Sequence, residues 1–542
     1  MERSQMKQMP EDKNTFLVSK ESLSLRQKTG QLFMPAVFIN DTEEEVQKME
    51  KLIQEHHIGS ICFFHSRASA ATNFEGKKKV VHNEKSLDRL KQLIYRYQKA
   101  AKIPLLIAMD AEWGLAMRIE NTPQYPYAIT LGASTNSIST LEEIGLRIGL
   151  DCKEAGINWN LAPVVDINNN PENPVIGYRS FGDDKNEVLS RASAFTEGMS
   201  KAGILNSIKH FPGHGDTATD SHLGLPVIDK SLQQLNENEL FPFNGLIKKG
   251  VDSVMVGHLL VPQLDAEEPS TTSHIIITEL LRNQLGFKGV IISDALNMHA
   301  VSKKYPEKGK LEATAFEAGM DVLCFSENVE EGIETILKTS SKVRIEESFE
   351  RIWHLKEKVF LNKVSEKIHS TKNHQQLNRL AAEQSLTELY GNPDVVQDIK
   401  SSKFLNLWVG SPTQNLFSSK IHEEQRNEPW ELTSSLIADE EKMKVSQNVV
   451  LAVFPPQVKP KGSFGFSSEQ LELIKQLVQT KNVLLYLFGN PFALDLFDLD
   501  STANAVMVYQ DFEVFQEVAY QHFMGLLKAS GRLPVKLKTF NP

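Results

Sequence analysis

The chain has 542 residues, 41% of them hydrophobic and 24% charged, which is too long for one ordinary core and too apolar for a disordered or fibrous polymer. Two globular domains are expected. A net charge of -10 excludes the basic face that a phosphate backbone requires, so nucleic acid is not an expected partner.

Cys62, Cys152 and Cys324 are few, far apart and set in apolar runs, which predicts buried thiols rather than a disulfide framework. The opening stretch mixes charges with polar residues and has no apolar core of the length a secretory signal needs. No later run is apolar for long enough to span a membrane, so a cytoplasmic protein with no membrane partner is expected.

In chain order, short apolar runs rich in β-branched residues alternate with segments of helical period, the pattern of parallel strands joined by helices. The predicted strands are Leu32–Val37, Ile58–Phe64, Pro104–Asp110, Trp159–Asp166, Ser207–Phe211, Ser253–His258, Val290–Asp294 and Val322–Phe325. Eight such strands are what a closed (β/α)8 barrel requires, so a TIM-like barrel is expected over residues 21–360. After Asn83, Leu87, Leu90, Leu93, Ile94 and Tyr97 share one helical face, and Ile345, Phe349, Ile352 and Val359 repeat the pattern near the barrel's end. Residues 361–376 turn polar and lose their period, which reads as a linker. Residues 377–542 follow with strands at Phe404–Val409, Val449–Phe454, Val483–Phe488 and Ala505–Tyr509, so the expected fold class is α/β, a barrel followed by a smaller layered α/β domain.

Catalytic side chains of a barrel sit where strands end at its C-terminal face. Asp110, Asp166, Lys209, His210, His258 and Asp294 each end a predicted strand, more ionisable groups than stability would call for. Two segments carry most of the chemistry. Lys209–His222 ends a strand and continues into a loop with three histidines and two aspartates, and Ile291–Met298 places Asp294 at the end of an apolar run. Cleaving a glycosidic bond with retention needs a carboxylate nucleophile and an acid about 5 Å apart. Asp294 suits the first role. Asp220 and His222, two residues apart, can face one way in an extended loop, with the histidine exchanging a proton and the carboxylate orienting it.

The runs Gln31–Met34, Ala162–Gly182, Lys209–His222 and Pro269–Met298 resemble those of glycoside hydrolase family 3, in particular its β-N-acetylhexosaminidases, over most of residues 21–360. The resemblance implies Asp294 as nucleophile, Asp220 with His222 as the acid–base dyad, and Asp110, Arg179, Lys209 and His210 as sugar-binding residues. It implies an exo-acting enzyme for terminal β-linked N-acetylglucosamine on muropeptides or chitooligosaccharides, with a carbohydrate partner, no cofactor and no metal. Ala381–Thr387 and Gly531–Val535 are similar to the start and end of the second domain in two-domain members. The turn after Asp110 departs from the compact members, because Ala-Glu-Trp-Gly-Leu-Ala-Met-Arg118 stands where they have Gly-Gly-Arg. Trp113 and Met117 are therefore expected to reshape the rim.

Other readings remain open at this point. Lys209 and His210 could be a satisfied pair that props the loop, Arg179 an inter-loop ion pair, and His210, His214, Asp216 and His222 metal ligands. A phosphorylase, a β-glucosidase and an inactive sugar-binding protein are the rival functions.

Overall fold

The computed structural model describes residues 20–64, 83–135, 137–217, 224–361, 370–390, 392, 394–410, 415–499 and 503–538. Asp220 and His222, and half of the expected linker (362–369), lie outside the described residues.

All eight predicted barrel strands are present. They are β1 (Phe33–Met34) running on into β2 (Ala36–Phe38), then β3 (Ser60–Phe64), β4 (Leu106–Met109), β5 (Trp159–Asn160), β6 (Leu205–Phe211), β7 (Ser253–Val256), β8 (Val290–Ser293) and β9 (Leu323–Cys324). From β2 to β8 they form one parallel sheet in chain order. The ring closes through β9. The Ser293 amide donates to Val322 on one side, while Leu323 and Phe325 donate to Leu32 and Met34 on the other. Strands such as β4 and β8 are buried at every residue, as parallel strands covered by helices must be, which is why they read as unbroken apolar runs.

The outer helices begin where the sequence offers caps. Thr42 and Glu45 form a reciprocal capping box for Glu43–His56, and Ser341 caps Lys342–Phe360, the predicted closing helix. The helix Ser86–Ala100 buries Leu90, Leu93, Ile94 and Tyr97. A further capping box, Asn373 with Gln376, starts the helix His374–Ser385 inside the stretch assigned to the linker. Its Asn378 amide donates to Gln124 O at 2.9 Å, so this helix is anchored on the barrel.

At the end of the barrel away from the strand C-termini, Asp321 is fully buried. Its carboxylate accepts from Arg282 at 2.7 Å, Arg351 at 3.0 Å, Ser348 at 2.5 Å and the Ile291 amide at 2.9 Å. Burial would raise its pKa, but the three arginines Arg282, Arg351 and Arg344 hold it below the usual carboxylate range.

The second domain is a six-stranded sheet with β10 (Thr387–Tyr390), β11 (Phe404–Gly410), β12 (Pro429–Glu431), β13 (Asn448–Phe454), β14 (Asn482–Leu487) and β15 (Asn504–Met507). Its order is β10-β15-β14-β13-β11-β12, parallel except for β10. The four predicted strands are its centre. The two unforeseen ones are its edges: β10 is largely uncovered, and β12 is three residues long and begins with proline, a residue confined to edges because it lacks a ladder donor.

The two domains share packing. Ile129, Ala133 and Tyr178 of the barrel belong to the same buried cluster as Val535 and Leu537. The last described segment is stitched to the barrel: Arg532 N donates to Ala133 O at 3.0 Å, Asp183 N to Pro534 O at 3.0 Å, and Lys536 N to the Asp183 carboxylate at 2.8 Å. Gly182, at φ 147°, lies against Pro534, and a Cβ there would meet its carbonyl oxygen at 2.4 Å.

Asp321→Ala leaves three arginines without their shared anion, and is expected to cost about 3–5 kcal/mol in denaturant unfolding while sparing the opposite face of the barrel. Lys356 is fully buried with its ammonium on Gln31 Oε1 at 2.6 Å and Pro104 O at 2.8 Å, and burial pushes its pKa down to about 7. The unfolded value is about 10.4, so the unfolded chain binds more protons between pH 7 and 10 and stability rises with pH in that window. Lys356→Met is expected to flatten that rise, measured as unfolding free energy against pH.

Candidate functional site

A cleft of about 240 Å³ opens at the C-terminal ends of the strands. Asp110, Arg179, Lys209, His210 and Asp294 all line it, so five of the seven residues singled out in the sequence come together there. A larger cavity of about 670 Å³ lies in the second domain beside Trp408 and Trp430, but the histidines and the strand-end carboxylates are gathered in the barrel cleft.

The cleft is organised by Lys209, which ends up fully enclosed near the close of β6. Its ammonium sits 2.7 Å from Asp110 and 2.8 Å from Glu112. Arg118 completes Asp110 at 2.9 Å, and Arg179 binds Glu112 through two hydrogen bonds of 2.9 and 2.7 Å. The result is a chain of alternating charges, Arg118–Asp110–Lys209–Glu112–Arg179. Burial would raise the pKa of both carboxylates; Lys209 with Arg118 overrides this at Asp110, and Arg179 with Lys209 overrides it at Glu112, which is brought down to about 2. Such a chain is costly to desolvate and contributes little net stability, but it presents fixed donors and acceptors to a polyhydroxylated ligand.

His210 is fixed from both sides. Its Nδ1 lies 2.7 Å from Asp166, whose carboxylate also accepts the His210 and His214 amides, and its Nε2 lies 3.4 Å from Arg179 Nη2. The ring is thus held between the Asp166 carboxylate and the Arg179 guanidinium. His214 is buried, contacts Thr217 through Nδ1 at 2.7 Å and leaves Nε2 without a partner. Burial, with His210 nearby, lowers its pKa to about 4 and keeps it neutral. Gly215 is required here, because a Cβ would stand 1.6 Å from Ile167 O.

Asp294 follows β8 directly. One oxygen accepts the Ala295 amide at 2.8 Å, and among the described residues no ion pair holds the carboxylate, unlike Asp110 and Glu112. Burial would raise its pKa, but His258, His210 and Lys209 and the Ala295 amide bring it below the ordinary aspartate value. His258 does not line the cleft. It is buried behind Asp294, 2.5 Å from Thr271 Oγ1 and 2.9 Å from Ala295 O, and so fixes the backbone that carries the carboxylate.

Glu112, Arg118 and Thr271 were not foreseen. Glu112 and Arg118 lie in the turn after Asp110, where charged residues close to a strand end were the available signal. Met117 lines the cleft as expected, but Trp113 does not: it packs edge-on against Tyr127 at 5.0 Å and against Tyr178 at 5.8 Å, and thereby braces the Tyr178 wall. Lys209 and His210 do not pair with each other, since Lys209 binds Asp110 and Glu112 and His210 binds Asp166, whereas Arg179 does form an inter-loop ion pair, with Glu112; all three line the cleft. Among the described residues no three His, Cys, Asp or Glu side chains gather as a metal site, and no helix is long and apolar enough to cross a membrane. The three cysteines are free and buried.

Known proteins with this pattern are numerous. The chain is 33% identical over 292 residues to β-hexosaminidase A of Pseudoalteromonas piscicida, covering 51% of this chain and 47% of that one, and so spans about half the length of that relative. It is 36% identical over 245 residues to a β-hexosaminidase of Tolumonas auensis, covering 44% of this chain and 72% of the relative. A family 3 β-N-acetylglucosaminidase structure from a Paenibacillus species superposes with a TM-score of 0.75 at 27% identity, over 96% of this chain and all of that one. NagZ of Neisseria gonorrhoeae, solved with N-trifluoroacetyl-D-glucosamine, matches 65% of this chain and 98% of its own at TM-score 0.51 and 26% identity. The family model for the glycosyl hydrolase family 3 N-terminal domain matches residues 24–355, more than half the chain. With that match, this two-domain architecture and a strand-end carboxylate in a polar cleft, the chain belongs to glycosyl hydrolase family 3 and is a glycoside hydrolase.

Proposed function

We propose that the chain is a retaining, exo-acting β-N-acetylhexosaminidase that removes a terminal β-linked N-acetylglucosamine from cell-wall muropeptide or chitooligosaccharide fragments. The observation that carries this reading is Asp294: a carboxylate kept ionised, facing the cleft, and not tied up by a cation among the described residues. The names of the relatives and the glucosamine derivative bound to the NagZ neighbour support the sugar.

In this reading an Asp294 oxygen attacks C1 while the glycosidic bond breaks, and His222 gives its proton to the departing oxygen. The ester formed on Asp294 is then opened by water, whose proton returns to His222. Asp220 orients His222 and stabilises its charged form. Asp110, Arg179, Lys209 and His210, fixed in place by their partners, present donors and acceptors to the sugar's hydroxyl and acetamido groups.

Asp294→Ala is expected to lower kcat/KM on p-nitrophenyl β-N-acetylglucosaminide about ten-thousandfold or more. His222→Ala is expected to slow alkyl glycosides by about 10²–10⁴, and p-nitrophenyl glycosides far less because nitrophenolate leaves without a proton. Full activity in Asp294→Ala would end the assignment. Glu112→Gln leaves Lys209 and Arg179 without their shared anion and is expected to cost about a hundredfold in kcat/KM through misplacement of both, with folding checked by circular dichroism.

A further inference from the structure

The larger cavity, about 670 Å³, is lined by second-domain residues and has nearly three times the volume of the barrel cleft, about 240 Å³. It lies at the carboxyl ends of two strands. The chain leaves β11 first for β12 and then for β13 on the other side of β11, and a crevice beside such a reversal is where open α/β sheets receive ligands. Trp408, near the end of β11, pairs with Glu431, the last residue of β12, while Trp430 pairs with Leu407 and so belongs to the opposite face of the sheet. The cavity therefore wraps the end of this short edge strand and meets an indole from each face.

Its lining favours one chemistry. Ser418 is 1% exposed; its amide donates to Asn415, its carbonyl accepts from Asn406, and its hydroxyl, at the cavity wall, has no partner. A buried hydroxyl left unpaired is costly, and a polar ligand group in the cavity would satisfy it. The charged lining residues are Glu431, Asp439 and Lys442, two carboxylates to one ammonium. Lys442 lies 3.5 Å from Asp439 and 5.2 Å from the centre of the Trp430 ring, so the wall offers an anion no cation beyond one already beside a carboxylate. Indole faces, hydroxyls and amides suit instead a neutral ligand with apolar C–H faces and hydroxyl edges, which describes a pyranose. Lys442 is half exposed and can yield the ring face at little cost.

The position also suits a glycosidase. β13 runs beside β11, and Lys459, in the segment after β13, lines the barrel cleft. The end of β12 is two strands from that of β13, on the order of 10 Å at the usual strand spacing. Cavity and cleft are thus served by the same end of the second sheet. We propose that the second domain carries its own non-catalytic site for an oligosaccharide of β-linked N-acetylglucosamine, with Trp430 packing on a sugar ring and the Ser418 hydroxyl bonding to its edge. The site takes no part in the chemistry at Asp294; the choice of sugar rests on the glycosidase reading above. Its size admits several sugars, and a fragment held there is kept at high local concentration beside the cleft.

The test counts molecules of tetra-N-acetylchitotetraose bound per chain by equilibrium dialysis, using Asp294→Ala so that the ligand survives. Two per chain are expected. Adding Trp430→Ala weakens the second binding event about tenfold, the loss of one stacked ring, while Trp430→Phe keeps most of it. Ser435→Trp puts bulk into the cavity from an exposed position and blocks the same event without removing any packed side chain. With Asp294 intact, the three changes leave kcat/KM on p-nitrophenyl β-N-acetylglucosaminide as it is in wild type. No more than one tetrasaccharide per chain, with an affinity indifferent to Trp430→Ala and Ser435→Trp, would overturn the inference, and so would adenosine monophosphate binding this cavity more tightly than the tetrasaccharide. Two tetrasaccharides per chain with no turnover of the nitrophenyl glycoside by wild type would leave this site standing and end the reading of the barrel.

Discussion

The cleft depends on one enclosed ammonium. Lys209 is shared by Asp110 and Glu112, and through them it fixes Arg118 and Arg179, so a single cation from β6 sets the spacing of four charged groups brought from the turn after β4 and the 177–179 loop. No member of the set could be buried alone, because an isolated charge in such surroundings would neutralise or draw in water. Assembled, they hold one another in a single protonation pattern that differs little across neutral pH. The cleft surface they form is already ordered.

Asp294 obeys a different logic. Its charge is sustained by histidines and a backbone amide rather than by a bonded cation, which keeps an oxygen available for chemistry. The Asp166–His210 pair lies between the two arrangements, joining the fixed charge chain to the loop that follows Phe211. Asp110, Glu112, Lys209 and Arg179 are thus saturated with partners, while Asp294 has no ion pair among the described residues.

Much of this was legible in the sequence because it is local. Parallel barrel strands are apolar throughout, so an aspartate or lysine at the end of such a run stands out, and Asp110, Lys209 and Asp294 did. Glu112 was passed over because its significance comes from Lys209 and Arg179, which are distant in the chain. Trp113 was assigned to the rim, since nothing nearby reveals that Tyr127 and Tyr178 would receive it. Lys459 is the extreme case: in the sequence it is one lysine in a proline-rich turn, and only the docking of two domains brings it to the cleft. The edge strands β10 and β12 escaped notice because they are short and half covered, lacking the apolar density of the central four.

The shared core around Tyr178 has a consequence for how the molecule can come apart. Tyr178 faces the cleft on one side and the cluster containing Val535 and Leu537 on the other, and its neighbour Arg179 belongs to the charge chain. A fluctuation that lifts the last described segment from the barrel therefore releases Gly182 and Asp183 and slackens the loop that holds Arg179. The strands beneath need not respond. The placement of Tyr178 and Arg179 is in effect a gauge of domain docking.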